Sequence, residues 1–506
     1  MLKIKEIFSY NSGSPLLFNH YHFLLLFTIA FGIFTLLNFS KKKLARNAFL
    51  FVFSLFFYYK TSGLYFFILL FSTAIDFYLG LAIAKTSKRS WKKVFLSLSL
   101  LSNFGLLVFF KYAYYIVDII NYWFGLNWHV INFMHLFSNE IFASNFAINS
   151  IFLPVGISFY TFQTLSYSID VYRGNIPASK SLLDFGFFVS FFPQLVAGPI
   201  VRAKDFLPQI QQEYQLSRTQ FGKAIYLIII GLIKKVVISD YISVNFVDRV
   251  FEAPELYSGF SNLMAVYGYA LQIYADFSGY SDIAIGLAAL LGFSLPINFN
   301  SPYKALSITD FWRRWHISLS SWLRDYLYIS LGGNRKGNFR TYLHLMITML
   351  LGGLWHGAAT KFIWWGGFHG LALIIHKLYT QKFKWSQNPK GFYKLYAHVL
   401  TFHFVCFCWV YFRSANMDIV KAMGNQIIYQ FEGFQIFEIF RAYWKVFALM
   451  IFGFITHFIP TTWKQKAQIT FNSWPNLAKV MFLFLVVILC FQSVSSENQP
   501  FIYFQF

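Results

Sequence analysis

Long apolar runs separated by short polar stretches dominate the chain. The runs cover residues 21–39, 44–59, 64–84, 94–124, 224–242, 263–293, 341–351, 362–375, 396–412, 447–458 and 480–494. Most are longer than a strand, and they lack the ten-residue alternation of an outer-membrane barrel. Helices are then the structure left for crossing a membrane. The pattern predicts an all-α polytopic membrane protein with about 11–12 membrane helices, some of them broken or re-entrant.

The part between residues 151 and 200 is less regular than the rest. Proline or glycine interrupts it at positions 154, 156, 193, 198 and 199. Proline removes a helix hydrogen bond, and broken backbone at membrane depth is tolerated only inside protein or along a cavity. We therefore expect kinked or re-entrant helices that line a cavity here.

Composition supports the membrane prediction. Hydrophobic residues make up 57% of the 506 residues and charged residues 12%, and the mean hydropathy is +0.50. The net charge is +22. The scattered lysines and arginines include no module that reads nucleic acid, so a cytoplasmic excess of positive charge explains them better. Basic clusters at 41–46 and 85–93 predict cytoplasmic loops and an external N-terminus.

One domain is the economical interpretation, because the sequence has no internal repeat and no soluble segment. We predict an N-terminal extension at residues 1–17, a membrane domain at 18–495 and an aromatic tail at 496–506. The three cysteines lie inside apolar runs and offer neither a disulfide framework nor a metal pattern. No metal site and no bound cofactor are predicted.

A histidine inside an apolar part of the chain is the first candidate for chemistry. From Arg340, the last preceding charge, a helix would reach His356 after roughly 24 Å, which is well inside a hydrocarbon core of ~30 Å. An ionisable side chain at that depth is costly and by default indicates a functional site. Gly352, Gly353 and Gly357 predict a break in the helix around it. The alternative is a histidine that only joins two packed helices.

The most polar part of the chain, residues 298–340, offers a second set of candidates. Thr309 or Asp310 is a plausible helix cap before an amphipathic run. The run interleaves basic and aromatic side chains, namely Trp312, Arg313, Arg314, Trp315 and Arg324. It is either an interfacial helix or a surface on which guanidinium groups hold the phosphates of coenzyme A or of a phosphopantetheine carrier.

Three further side chains, those of His316, Asp276 and Asp282, are candidates for chemistry or for a structural role. His316 precedes His356 by 40 residues, so only the fold could bring the two together. Asp276 and Asp282 lie in an apolar run, and we expect structural ion pairs with arginines or contacts with hydroxyls such as that of Tyr280.

The last residues form an aromatic tail that ends the chain. Such a tail is either a membrane-interface anchor or a segment that folds into the cavity and offers the Tyr503 hydroxyl as an acyl acceptor. A phenol becomes a usable nucleophile when a neighbouring histidine takes its proton.

With these residues assembled, the chain resembles the membrane-bound O-acyltransferase superfamily, and within it the bacterial alginate and peptidoglycan O-acetyltransferases. The matching motifs are PVGISFYTFQ at 154–163, DVYRG at 170–174, AGPIVR at 197–202, DFSGYSD at 276–282, DFWRRWH at 310–316, LGGNR at 331–335 and GLWHG at 353–357. They follow the family's order, and the resemblance as a whole covers the chain from about residue 18 to the C-terminus.

The resemblance implies roles for particular residues. His356 matches the family's catalytic histidine and His316 its second active-site histidine, in a central tunnel or funnel. We group Asp276, Asp282, Tyr280, Asp310 and Trp355 with the tunnel or its structural support. The resemblance also implies an acyl thioester donor on the cytoplasmic side of the bacterial inner membrane. A separate periplasmic partner of the SGNH-hydrolase type would receive the acetyl group.

The sequence therefore predicts an O-acyltransferase in which His356 acts as general base, His316 orients a substrate or stabilises an oxyanion, and Arg313 with Arg314 binds the donor. The donor is acetyl-coenzyme A or an acyl carrier thioester. Two alternatives remain at this point. One is D-alanyl transfer from a carrier protein to teichoic acid, in which a related small partner ends in an acyl-accepting tyrosine like Tyr503. The other is a transporter that uses the histidines as proton relays.

Overall fold

The computed structural model describes residues 9–11, 15–18, 20–40, 42–142, 147–196, 198–383 and 390–493. Within these ranges the ordered segments are helices and no strand occurs. The predicted all-α fold is confirmed.

The helices are numbered here in chain order. The first group is α1 (Tyr21–Phe39), α2 (Lys43–Ser62), α3 (Phe66–Lys85), α4 (Arg89–Leu107), α5 (Ala113–Phe124), α6 (Phe133–Phe142), α7 (Ile157–Arg173), α8 (Leu182–Ser190), α9 (Phe192–Leu195) and α10 (Ala203–Ile210). The second group is α11 (Arg218–Leu232), α12 (Asp248–Glu252), α13 (Gly259–Leu290), α14 (Ile308–Arg314), α15 (Ile317–Trp322) and α16 (Ile329–Leu331). The third group is α17 (Asn338–His356), α18 (Thr360–Lys382), α19 (Gly391–Arg413), α20 (Met417–Tyr429), α21 (Ile436–Ala442), α22 (Trp444–Phe458), α23 (Thr461–Ser473) and α24 (Asn476–Ser493).

Several connections between helices are π-helical, so the backbone stays helical through them. The turn Val108–Tyr112 joins α4 to α5, Ile233–Asp240 and Ser243–Val247 follow α11, and Leu323–Tyr328 joins α15 to α16. Wide turns of this kind interrupt the regular hydrogen-bond ladder and often occur at functional sites.

Four helical stretches in the described part of the chain are long and apolar enough to cross a membrane, namely residues 22–39, 43–85, 89–124 and 391–413. Two bent pairs, α21 with α22 and α23 with α24, raise the number to six. The predicted multi-pass architecture is confirmed, whereas the number of about 11–12 membrane segments stays a prediction.

The helix α13 runs through the centre of the protein, and most of its residues are buried. It packs mainly against α11 and the π-helical segment after it. The interrupted region 151–200 is helical but short in its second half, since α8 has 9 residues and α9 only 4. Buried phenylalanines of α8 and α9 join the same core.

Helices α17 and α18, which carry residues of the site, pack closely against each other. A Cβ atom at Gly353 would lie 2.2 Å from the carbonyl oxygen of Phe362, and one at Gly366 would lie 2.4 Å from that of Met349. These glycines let two backbones touch, as small residues do at membrane helix interfaces. The expected break around His356 is present at Gly357, where the backbone becomes extended, but α17 continues through Gly352 and Gly353, so the break expected at those two positions is wrong.

Candidate active site

His356 is the last residue of α17 and is 3% exposed. Its imidazole lies among aromatic rings, with centroid distances of 4.9 Å to Trp355, 5.0 Å to Trp365 and 5.1 Å to Phe412. The deep burial expected from the sequence is observed. Because His356 is the last residue of its helix, the position of its side chain depends on the contacts that hold the last turn of α17.

His316 occupies an unusual backbone conformation between α14 and α15. Its φ is +42°, and the side chain is fully buried. Among the described residues, Ser301 is the other non-glycine position with positive φ. This conformation costs energy and persists only where the surroundings enforce it. Here the surroundings are specific hydrogen bonds from a neighbouring loop.

Asn298 supplies those hydrogen bonds. Its Oδ1 lies 3.1 Å from Nδ1 of His316 and accepts from the backbone N–H of Ser318 at 3.2 Å and from the Ser318 hydroxyl at 2.9 Å. The N–H of Ile317 donates to the Asn298 carbonyl at 2.9 Å. Because an amide oxygen only accepts, Nδ1 of His316 carries the hydrogen, and in the neutral ring the lone pair is on Nε2.

The break at His316 also corrects the expected long amphipathic helix. The helix α14 has 7 residues and begins after Ser307, whose hydroxyl accepts from the Asp310 N–H at 3.1 Å. Ser307 is thus the cap, and the expectation of Thr309 or Asp310 at that position is wrong. The left-handed residue then turns the chain into α15, which a periodic pattern of apolar residues does not predict.

The two histidines meet at one indole ring. The ring centroid of Trp355 is 5.9 Å from that of His316 and 4.9 Å from that of His356. Phe159 and Phe162 of α7 pack against the same indole, at 5.4 and 5.5 Å. The fold therefore brings together two histidines 40 residues apart, inside an aromatic wall that excludes water.

Two residues that were not predicted from the sequence hold the C-terminal end of α17. The Lys111 ammonium donates to the carbonyls of Trp355, at 2.7 Å, and His356, at 3.1 Å. The Tyr112 hydroxyl donates to the carbonyl of Leu354 at 2.7 Å. Lys111 lies inside the apolar run 94–124, and a lysine in such a run was the available signal.

A cavity of about 1470 Å³ lies beside the two histidine segments. Its walls come from α14, α15, α17, α18 and the start of α19, and its basic side chains are Arg313, Arg324, Lys377, Lys390 and Lys394. Of the described residues that line it, Asp310 is the one acidic residue. Met349, the α17 lining residue nearest to His356 in the chain, precedes it by seven residues, or about 10 Å along the helix. None of the described residues between 151 and 200 lines this cavity, so it is not the cavity expected along that region.

The four predicted donor-binding residues divide into two groups. Trp312 and Arg313 line the cavity. Arg314 pairs with Asp310 at 2.8 Å, and Trp315 is 1% exposed inside the core, where it packs against Trp409. The structure therefore does not bring Arg314 and Trp315 to the cavity wall.

The two carboxylates of α13, Asp276 and Asp282, pair with lysines rather than with the arginines we expected. Asp276 lies 2.6 Å from Lys235, which also bonds to Asp240 at 2.7 Å. Asp282 lies 2.6 Å from Lys234. Both lysines belong to the π-helical segment after α11, so these ion pairs join that segment to α13. Tyr280 is buried one helical turn after Asp276 and stacks on Phe18 at 4.6 Å.

The loop around residues 198–202 anchors the segment after His316. The Ile200 N–H donates to the Ser318 hydroxyl at 3.0 Å, and Arg202 pairs with Asp325 at 2.7 Å. Burial raises the pKa of Asp325, but hydrogen bonds from Arg324 and Arg202 outweigh that effect and leave the pKa below its ordinary value. The carboxylate therefore stays charged and keeps the segment tied to the loop. Tyr503 lies outside the described residues, and its predicted role stays a prediction.

The chain is similar in sequence to a known protein family and to individual known proteins. The sequence profile of the membrane-bound O-acyltransferase family matches residues 173–420. A probable alginate O-acetylase of Pseudomonas putida is 37% identical over 454 residues, which cover 86% of this chain and 89% of that protein. The chain belongs to the membrane-bound O-acyltransferase family. A peptidoglycan O-acetyltransferase of Helicobacter pylori is 38% identical, covering 76% of this chain and 74% of that protein.

Membership decides between two of the predicted functions. The protein is a multi-pass membrane O-acyltransferase and uses an acyl donor, so the transporter alternative is not supported. A more distant relative, a teichoic acid D-alanyltransferase of Bacillus subtilis, is 29% identical and covers 51% of this chain. The matched range 173–420 contains the positions of His316 and His356.

Proposed function

We propose that the protein transfers an acetyl group from a cytoplasmic thioester donor across the bacterial inner membrane for O-acetylation of an envelope polysaccharide, either peptidoglycan or an alginate-like polymer. The observation that carries this proposal is the convergence of His316 and His356 on the indole of Trp355. The relatives named as alginate and peptidoglycan O-acetyltransferases cover most of the chain, which supports acetyl as the group transferred.

In the proposed mechanism, His356 is the general base. It takes the proton from an acceptor hydroxyl while that oxygen attacks the thioester carbonyl carbon. The carbon–sulfur bond then breaks, and the leaving thiolate takes the proton from the imidazolium. The products are an oxygen ester and a free thiol. The aromatic wall keeps water from competing with the acceptor.

His316 orients the donor in this mechanism. With its Nδ1 hydrogen on Asn298, the neutral ring accepts a hydrogen bond through the Nε2 lone pair. The single hydrogen of the acceptor hydroxyl goes to His356, so the group that donates to Nε2 is a different one, such as an amide N–H of a coenzyme A or phosphopantetheine arm. A neutral ring in that tautomer cannot donate to an oxyanion through Nε2. Of the two roles the sequence suggested, orientation of a substrate is therefore the better supported.

The donor binds, we propose, in the basic cavity. Five cationic side chains against one carboxylate suit the phosphates of coenzyme A or of a phosphopantetheine arm. The lysines near the end of α18 and at the start of α19 support a cytoplasmic position for this opening, by the positive-inside rule. A thioester reaching inward from there would approach the end of α17.

Two routes are proposed on the acceptor side. The Tyr503 hydroxyl would receive the acetyl group and pass it to a periplasmic partner of the SGNH-hydrolase type, or that partner's substrate would receive it directly. D-alanyl transfer from a carrier protein is the second candidate, favoured only by the similarity to the Bacillus subtilis enzyme.

Intact mass with fragmentation tests the relay. Purified protein is incubated with isotopically heavy acetyl-coenzyme A, with His356→Ala and Tyr503→Phe in parallel. We expect a labelled ester on Tyr503 in the wild type and none in either variant. Label that persists in His356→Ala would contradict the base assignment. Label that stays in Tyr503→Phe would place the acceptor elsewhere.

The cavity assignment is tested by a matched pair of neighbouring arginines. Arg313→Ala should raise KM for the donor about 10-fold, because a charge-assisted contact with a phosphate is worth roughly 1.5–3 kcal/mol. Arg314→Ala should raise it less, since that guanidinium is already bound to Asp310. Equal effects of the two substitutions on KM would contradict the cavity as the donor site.

A further inference from the structure

We propose that Lys111 is a positioning residue for His356. Its ammonium group holds the last turn of α17 and so fixes where the imidazole meets the acceptor and the donor. This inference rests on the proposed role of His356 as the base. Lys111 itself has no part in bond making.

A lysine at this position carries a cost in free energy. Lys111 belongs to the apolar helical stretch 89–124, one of those long and apolar enough to span a membrane. An ammonium group in such a stretch is costly unless it is bound to acceptors. Its bonds to the carbonyls of Trp355 and His356 supply them.

The same bonds supply donors to backbone carbonyls at the C-terminal end of α17. The last carbonyls of any helix have no N–H partner within the helix, and inside a membrane protein water does not replace it. Here Tyr112 and the Gly357 N–H donate to the Leu354 carbonyl, at 2.7 and 3.1 Å, and Lys111 serves the next two carbonyls. A cation at a helix C-terminus also interacts favourably with the helix dipole.

Lys111 contacts the wall of the site as well as the backbone. Its Nζ lies 5.9 Å from the ring centroid of Trp355, the indole shared by both histidines. The π-helical turn Val108–Tyr112 presents Lys111 and Tyr112 side by side to consecutive carbonyls of α17. One turn of the α4–α5 stretch therefore fixes the backbone of His356 and the ring that separates it from His316.

The test measures donor turnover in membranes that contain the full chain. Lys111→Met keeps the apolar stem but removes the charge and the donors, and we expect kcat to fall about 50-fold with KM for acetyl-coenzyme A unchanged, because a misplacement of about 1 Å costs on the order of 10²-fold. Lys111→Arg restores donors and charge and should recover most of kcat. Tyr112→Phe, which removes one neutral hydrogen bond, should lower kcat about 5-fold.

Lys464→Met is the matched control. The Lys464 ammonium donates to the His457 carbonyl, at 3.2 Å, in the last turn of α22. It removes the same kind of bond from another helix end, and kcat should stay at the wild-type value.

The outcomes separate this inference from the proposed function. Wild-type kcat in Lys111→Met, with an inactive His356→Ala, would overturn the inference alone. Parallel losses of folded protein, kcat and donor affinity in Lys111→Met, with no recovery in Lys111→Arg, would also overturn it, since they would show a purely structural lysine. Full activity of His356→Ala would overturn the proposed function and this inference together.

Discussion

The two histidines are held in opposite ways. His316 lies on a strained turn, and its own ring is bonded to Asn298. His356 lies at the end of a regular helix, where its carbonyl and those of the two residues before it are bonded to Lys111 and Tyr112. The bonds to Asn298 act on the side chain of His316, whereas those to Lys111 and Tyr112 act on the backbone of the last turn before His356.

This difference suits the two proposed roles. A residue that orients a substrate through Nε2 needs a defined tautomer, and a hydrogen bond to Nδ1 provides it. A base must accept a proton and return it to the leaving group, so its ring has to be held in place through a change in charge. The bonds to the last turn of α17 act on the backbone, and aromatic rings around His356 restrict the position of the imidazole.

Among the substitutions that act on one histidine and not the other, Asn298→Ala should cause the largest loss of kcat. Removing the amide deprives the His316 ring, the Ser318 N–H and the Ser318 hydroxyl of one shared acceptor. We expect kcat to fall about 100-fold, because misorientation of a catalytic group has effects of that size. Steady-state kinetics on the purified variant measure it.

Asn298→Asp is the matched control, since a carboxylate still accepts all three hydrogen bonds. We expect a smaller loss of kcat than in Asn298→Ala, with a similar yield of folded protein. Equal losses in both variants would mean that the Nδ1 contact does not set the tautomer of His316.

A smaller effect should follow from Gly353→Ala, which acts on the support of His356. The new methyl group would lie 2.2 Å from the Phe362 carbonyl oxygen, so α17 and α18 must move apart. Overpacking costs about 1–3 kcal/mol. We expect a lower Tm and a fall in kcat of roughly 10-fold, given the sensitivity of catalysis to small displacements.

Gly367→Ala serves as the control for that prediction. Its Cβ would meet only the Leu350 side chain, at 3.8 Å, which is an ordinary contact. Its Tm should equal or exceed the wild-type value, because alanine favours the helix more than glycine does. A Tm for Gly353→Ala as high as that of Gly367→Ala would contradict the close crossing of α17 and α18.

The sequence predicts the helices well where one physical rule governs them. The apolar run 21–39 coincides with α1, and the ends of the run 396–412 lie within five residues of the ends of α19. His356 was also identified from the sequence alone, because an ionisable side chain is costly inside an apolar run. These features depend on hydrophobic transfer, which is read from local composition.

The rest of the site depends on contacts between distant parts of the chain. Asn298 is an ordinary polar residue in the sequence, and only the turn at His316 gives it a role. Lys111 is 245 residues from His356 and binds backbone atoms, which leave no trace in the pattern of side chains. Gly353 was interpreted as a helix breaker because the second helix that touches it was unknown.

The central claim is that His316 and His356 form one acyl-transfer centre. A double-mutant cycle tests it most directly, with kcat/KM for acetyl-coenzyme A measured in His316→Ala, His356→Ala and the double variant. If the two residues act as a unit, each single variant loses about 10²–10⁴-fold and the double variant loses little more than the worse of them. Losses that simply multiply in the double variant would contradict a shared centre.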